Sequence, residues 1–139
     1  MKIATRIVVL LLALLMAVSF AACADVETTG AWENATYTQN EELGEGAKTV
    51  TVVITAEEQS LTFTLHTDKD FLDEALREHG LIEDNNGLIH TINGIYADWE
   101  NGGWWWKFTK NGEMMPIGAD SATIANGEQY EFTRTNTFD

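Results

Sequence analysis

Aromatic side chains crowd one short stretch of this sequence. Four of its five tryptophans, Trp99, Trp104, Trp105 and Trp106, lie within eight residues, and Tyr96 stands just before them. Indole rings present flat, rigid, apolar surface with one N–H donor, which suits stacking on sugar rings, planar cofactors or a partner's side chains. These five residues are therefore the candidate ligand-binding residues.

Strand geometry limits how many of these rings a core can hold. On a β-strand Trp104 and Trp106 face one side of the sheet, whereas Trp105 faces the other. A small sheet buries both sides only if a helix or loop covers the second, so we expect at least one indole to be partly exposed. The alternative is that Trp104 and Trp106 simply fill the core and brace the turn at residues 101–103. The sequence leaves both interpretations open.

The second candidate for chemistry is Cys23, the only cysteine. Two basic residues precede an apolar run over residues 7–20, and small residues follow it, which is typical of a secretory signal peptide. The sequence Phe20-Ala21-Ala22-Cys23 resembles a bacterial lipobox, whose cysteine thiol takes a diacylglyceryl group. We therefore predict a lipoprotein signal peptide over residues 1–22 and lipid attachment at Cys23. Ordinary secretion, with cleavage near Ala22 or Ala24, is the alternative.

Lipid attachment at Cys23 would determine where the protein is located and what net charge its mature form carries. The expected location is extracytoplasmic, at a bacterial cell membrane, with the membrane contacted through the lipid anchor. A single cysteine excludes an intramolecular disulfide. Removal of residues 1–22 would leave six basic against 22 acidic residues, a net charge of −16 with histidine neutral. Such acidity makes nucleic acid an improbable partner.

The sequence contains only weak metal-binding patterns. His66, His79 and His90 do not form a ligand-spaced motif with one another or with the cysteine. The acidic stretches at residues 83–86 and 98–101 offer oxygen ligands but lack the spacing of a calcium loop. We expect solvated turns there rather than a metal site.

Catalytic patterns are equally sparse. The two serines after residue 23, Ser60 and Ser121, lie outside a Gly-x-Ser-x-Gly elbow, and no phosphate-binding loop is present. We expect a protein that is not an enzyme and requires no cofactor.

The chain after the signal divides into two parts. Residues 23–47 contain the anchor cysteine and then a polar, acidic stretch without hydrophobic period, which predicts a flexible tether. Trp32 and Tyr37 are unusual in a tether and are candidates for packing on the domain. Residues 48–139 have enough apolar residues for one small domain.

The hydrophobic pattern of this domain predicts mostly strands. Alternation over residues 50–55 and 61–66 indicates a half-buried hairpin, and later strands are predicted at residues 88–92, 104–109 and 129–135. Asn-Gly pairs mark turns.

A helical period over residues 70–79 predicts one helix, with Asp68 or Asp70 as the N-cap and Gly80 as the stop. The fold class is α+β, with one short helix packed on a mixed or antiparallel sheet in a β-grasp-like order.

The order of these features resembles a domain of bacterial surface proteins and the C-terminal β-domain of the cobalamin carriers transcobalamin and intrinsic factor. The resemblance implies a β-grasp fold of the soluble ligand-binding type, which in the carriers covers one face of the corrinoid. The carriers also have a helical barrel, and residues 24–47 are too few and too polar to supply one. The resembling segments are residues 71–76, 92–95, 104–108, 111–113, 118–120 and 126–132.

Together these observations favour a lipid-anchored, extracytoplasmic ligand-binding protein. The resemblance makes a corrinoid such as cobalamin, or a similar ring compound, the candidate ligand. The alternative is an adhesion or assembly module that binds a protein partner or a cell-wall glycan through its tryptophan-rich region.

Lipid attachment gives a direct prediction for Cys23. We expect Cys23→Ala to abolish fatty-acid labelling and to release the protein into the medium, because the thiol that carries the lipid is gone. Metabolic labelling with a fatty acid and fractionation of the cells measure both effects. Unchanged labelling of the variant would contradict the lipid attachment.

Overall fold

The computed structural model describes residues 25–85 and 87–139. Cys23 and the predicted signal peptide lie outside the described residues. Within them, one helix packs with two sheets, and the order of strands and helix confirms the predicted α+β class. A short 3-10 helix (Gly30–Trp32) comes first. The other elements are β1 (Glu41–Leu43), β2 (Lys48–Ala56), β3 (Gln59–Thr67), the α-helix α1 (Leu72–Glu78), β4 (Ile82–Asn85), β5 (Leu88–Ile92), β6 (Ile95–Tyr96), β7 (Trp105–Lys110), β8 (Glu113–Met114) and β9 (Gln129–Thr135).

The larger sheet has six strands in the order β1-β3-β2-β9-β7-β8. It is mixed, since β2 pairs parallel with β9 and β1 pairs parallel with β3, while the other neighbours are antiparallel. The parallel pairing requires a long crossover between β2 and β9, and the helix, the smaller sheet and β7 lie in that crossover. The antiparallel order β4-β5-β6 forms the smaller sheet.

Alternation along the strands builds the core, as the sequence predicts. Val50, Val52 and Ile54 of β2 are almost completely buried, whereas Thr51 and Val53 between them are half-buried on the other side of the sheet. On the helix, the spacing of Leu72, Ala75 and Leu76 gives one apolar face, and all three are fully buried. These residues belong to a single core cluster.

The predicted N-cap of this helix is wrong. Phe71 occupies the N-cap position, and no side chain caps the helix. The backbone N–H groups of Leu72 and Asp73 instead donate to carbonyls of the 119–122 segment. Asp68 accepts from the backbone N–H of Ala47, and Asp70 pairs with the ammonium of Lys48, so both carboxylates are engaged at the start of β2. The predicted stop at Gly80 is confirmed by its φ of +65°.

The segment predicted as a flexible tether instead packs on the domain. Trp32 is fully buried and its indole N–H donates to the carbonyl of Ala56 at 2.8 Å. Tyr37 packs edge-on against Phe63 with ring centroids 5.6 Å apart. Further along, Glu41–Leu43 adds β1 to the sheet edge. The expected packing of Trp32 and Tyr37 on the domain is thus confirmed, whereas the polar composition of the segment gave no sign of β1.

Asn93 holds this segment in place from the other side. Its amide group accepts from the backbone N–H of Tyr37 at 2.8 Å and donates to the carbonyl of the same residue at 2.9 Å. At the turn between β5 and β6, Asn93 and Gly94 have φ of +52° and +76°. A side chain at Gly94 would clash with the carbonyl of Asn34. The segment is thus an integral part of the domain.

No helix among the described residues has the length and apolar character needed to cross a membrane.

The packing of residues 26–43 predicts a large loss of stability for Trp32→Ala. We expect the free energy of unfolding to fall by about 3 kcal/mol or more, because a fully buried ring and its hydrogen bond are lost. Urea denaturation measures the change. Trp99→Ala is the matched control, since this indole is 57% exposed, and it should cost less than about 1 kcal/mol. An equally small effect of Trp32→Ala would contradict this packing and would support the prediction of a flexible tether.

Candidate functional site

An open cleft of about 530 Å³ lies between the smaller sheet and the start of β7. This volume falls within the usual range for small-molecule sites, roughly 300–1,000 Å³. The five residues predicted from the sequence all contribute to its wall. The lining residues are Leu88, Ile89, His90, Tyr96, Ala97, Trp99, Glu100, Trp104, Trp105, Trp106 and Phe138.

Trp105 and Trp106 alternate on β7 as predicted, whereas Trp104 lies just before the strand. Trp106 faces the core and is only 7% exposed, with its indole N–H donating to the carbonyl of His90 at 3.2 Å. Trp104 and Trp105 are half-buried. At the rim, Tyr96 and Trp99 are 55% and 57% exposed. Core packing therefore accounts for Trp106, whereas Tyr96 and Trp99 present free ring surface.

Arg134 on β9 fixes one of these rings from behind. Its guanidinium lies 4.1 Å from the centroid of the Trp104 ring, and its Nε–H donates to the carbonyl of Tyr96 at 3.0 Å. Burial lowers the pKa of Arg134, and the charges of Glu57 and Asp98 oppose that effect. The group stays protonated near neutral pH because arginine is ordinarily charged at all pH values in which proteins are folded. This cation–π contact orients Trp104 beside the cleft.

The loop before β7 is held by Asp98. Its carboxylate accepts from the side-chain amide of Asn101 at 2.9 Å and from the backbone N–H of Asn101 at 3.1 Å. The pKa of Asp98 is lowered mainly by the hydrogen bond from the side chain of Asn101, and the backbone N–H of the same residue adds to this effect. The charged carboxylate thus stabilises the loop that carries Trp99.

The same loop needs glycine where it approaches Trp104. Gly102 has φ of +116°, a region that side chains rarely adopt. A Cβ atom there would lie 2.9 Å from Nε1 of Trp104. The backbone N–H of Gly103 donates to the carbonyl of Trp99 at 3.0 Å, which closes the turn.

On the opposite side of the sheet from Trp106, the segment after β9 meets Trp105. The indole N–H of Trp105 donates to the carbonyl of Thr137 at 3.1 Å. The ring of Phe138 stacks on Trp105, with centroids 5.4 Å apart and planes 21° apart. Sequence reasoning identified neither Phe138 nor Arg134. An aromatic residue after the last predicted strand was the only available signal for Phe138, and the strand pairing that places Arg134 is not visible in the sequence.

The three histidines serve separate contacts. His66 bonds to Glu42 at 2.6 Å. His79 follows the helix as its C-cap, and His90 lies in the cleft, edge-on to Tyr96 at 5.7 Å. In the part of the chain that the structure describes, no group of three or more His, Cys, Asp or Glu side chains is placed to hold a metal ion.

The lining of the cleft is mostly apolar and aromatic. Of the eleven lining residues, His90 and Glu100 supply an imidazole and a carboxylate, and most of the others are apolar or aromatic. Such a wall stacks against flat apolar surface and offers few polar groups to orient it.

Comparisons with known proteins identify one family match and solved structures of similar fold. Residues 69–136, which include most of the cleft, match a family described as a domain of unknown function, DUF4430. No curated protein matches the sequence. Among solved structures, a proposed metal-binding protein from Ruminococcus gnavus ATCC 29149 is similar with a TM-score of 0.63 and 27% identity. That similarity covers 66% of this chain and 100% of the other.

A second similar structure is haptocorrin in complex with Cbi, with a TM-score of 0.54 and 17% identity. Haptocorrin is a protein of the transcobalamin family. The similarity covers 63% of this chain but only 25% of haptocorrin, so this chain corresponds to a quarter of that protein. At this identity the similarity concerns the fold. It supports, at that level, the resemblance to the transcobalamin family predicted from the sequence.

Proposed function

We propose that this protein is a non-enzymatic binding protein whose aromatic cleft holds a bulky ring compound, with a corrinoid as the candidate. We further propose that lipid on Cys23 holds it at the extracytoplasmic face of a bacterial membrane. The observation that carries the first proposal is the free ring surface of Tyr96 and Trp99 beside the fixed ring of Trp104.

Burial of apolar surface supplies the driving force. Each aromatic side chain has about 150–250 Å² of surface, and more than half of Tyr96 and of Trp99 is exposed. A ligand that covered roughly 100 Å² of this surface would gain about 2.5 kcal/mol from the protein side alone. The ligand's own buried surface adds a similar amount, so the two together give about 5 kcal/mol before the cost of association. A Kd of about 100 μM, or about 5.5 kcal/mol, therefore requires further contacts with the rest of the cleft wall.

The similar structures guide the choice of ligand. Haptocorrin was solved with cobinamide, and its fold is similar to 63% of this chain. A corrinoid brings its own cobalt ion, so a cleft lined by rings could hold it without metal-ligating side chains. The R. gnavus protein, proposed to bind metal, has the same fold over its whole length.

The size and openness of the cleft favour partial cover of such a ligand. A cleft of about 530 Å³ with exposed rim residues can hold one face or edge of a large ring. The other face would stay accessible to solvent or to a second chain. We propose that this chain acts as one half of a carrier, as the β-domain does in the transcobalamin family.

The proposed anchor would hold this cleft close to the membrane. Val26 is buried, and its backbone N–H donates to the carbonyl of Thr38 at 2.9 Å. Glu27 is tied to Gln59, at the end of the sheet where β9 finishes and β7 begins. Three extended residues reach at most about 11 Å, so lipid on Cys23 would place this end of the domain near the bilayer.

An adhesion or assembly module is the second candidate. The observation in its favour is the exposure of Leu88 and Phe138, at 74% and 78%, beside the exposed rings of the same cleft. Clustered apolar surface of this kind marks contact sites for protein partners as well as for ligands. A cell-wall glycan would stack on the same rings.

Titration of the purified protein with dicyanocobinamide tests the leading proposal. We expect tryptophan quenching and a change in the visible spectrum of the corrinoid, with a Kd below about 100 μM, which corresponds to about 5.5 kcal/mol. Trp99→Ala should weaken binding about tenfold because it removes an exposed stacking surface.

The matched control for this titration is Met114→Ala. Met114 is 59% exposed and lies on β8, outside the cleft lining, so its loss should leave the Kd unchanged. Absence of any change up to about 100 μM would contradict the corrinoid proposal. Binding of peptidoglycan fragments to the wild type but not to Trp99→Ala would then favour the adhesion module.

A further inference from the structure

The ring of Phe138 makes two aromatic contacts inside the cleft. It stacks on Trp105 at 5.4 Å with planes 21° apart, and it meets Trp99 edge-on at 6.1 Å. Phe138 is nevertheless 78% exposed. Its ring is therefore held by the two indoles at the surface rather than enclosed by the core.

Hydrogen bonds hold the backbone of this segment above the sheet. The carbonyl of Thr137 accepts from the Trp105 indole at 3.1 Å, and the backbone N–H of Thr137 donates to the hydroxyl of Thr135 at 3.2 Å. The ammonium of Lys107 donates to a carbonyl oxygen of Asp139 at 2.6 Å. These contacts are polar and exposed, so each contributes little against solvent.

We infer that Trp99 and Trp105 form a subsite of the cleft for a planar ring, and that Phe138 occupies this subsite until a ligand ring displaces it. The inference rests on the proposed function of the cleft as a binding site. It specifies that the group recognised at this subsite is a flat apolar ring. It also identifies Phe138 as an internal competitor for the subsite.

The geometry distinguishes a competitor from a permanent wall. The wall ring of Trp104 is half-buried and held by Arg134, whereas most of Phe138 faces solvent and its ring contacts are with the two indoles. A stacked aromatic pair is worth roughly a two- to tenfold change in an equilibrium constant, beyond simple burial of area. An incoming ring must overcome that factor because the free form of the subsite is only fractionally populated.

Phe138→Ala gives a test in which the two possibilities have opposite signs. The probe is N-acetyl-phenylalanine amide, which carries the same ring, and the readout is the NMR shift of the indole N–H groups of Trp99 and Trp105. We expect the variant to bind this probe roughly two- to tenfold more tightly than the wild type, because the subsite is vacant. Equal or weaker binding by the variant would overturn the inference.

Met114→Ala serves as the control for a general effect of removing exposed apolar surface, and it should bind the probe as the wild type does. A second titration with dicyanocobinamide separates this inference from the proposed ligand. If Phe138→Ala gains affinity for the phenylalanine probe while dicyanocobinamide binds neither protein, the subsite stands and the corrinoid proposal fails. If dicyanocobinamide binds both proteins and Phe138→Ala gains affinity for neither compound, the corrinoid proposal stands and the internal competitor fails.

Discussion

The parallel pairing of β2 with β9 determines where everything else in this molecule lies. Because the two strands run in the same direction, their C-terminal ends lie at the same end of the sheet. The antiparallel strand β7 begins at that end. The turn after β2, the loop before β7 and the segment after β9 therefore gather at one end. Five backbone register pairs, from Thr51↔Gln129 to Thr55↔Thr133, fix this arrangement. Both the aromatic cleft and the buried segment near Val26 depend on this strand pairing.

The run of three tryptophans at the start of β7 has to satisfy two environments at once. The two-residue period of a strand places Trp106 in the core and Trp105 on the opposite side, where the segment after β9 covers it. Trp104 lies just before the strand, and Arg134 across the sheet holds its ring. One short sequence thus provides a core anchor, an oriented wall and a surface for stacking. Exposure of the Trp99 ring to water is unfavourable, and a bound ligand would remove this free-energy cost by covering the ring.

Local pattern was enough to predict a large part of this fold. Alternation located the β2–β3 hairpin, and the strands at 88–92 and 129–135 match β5 and β9. The Asn111-Gly112 turn has both φ values positive, as such a pair favours. The cluster of rings was also predicted, because strand period and residue type suffice to bring Trp99 and Trp104–Trp106 to one region.

Long-range contacts explain what the sequence did not predict. Trp32 reaches the end of β2 and Tyr37 reaches Asn93, so a polar segment packs on the domain through a few distant residues. Arg134 and Phe138 enter the cleft through strand pairing and through the path of the chain after β9, neither of which has a local signature. The helix lacks its predicted aspartate cap because backbone carbonyls at Ala119 and Ala122 satisfy its first N–H groups.

The central claim is that the aromatic cleft at this end of the sheet is the binding site. The most direct measurement is the NMR spectrum of the five indole N–H groups while dicyanocobinamide is added to the protein. The account predicts that the signals of Trp99, Trp104 and Trp105 move, whereas that of Trp32, whose N–H group is bonded inside the core and away from the cleft, stays in place. Uniform shifts of all five signals, or none at saturating corrinoid, would contradict it.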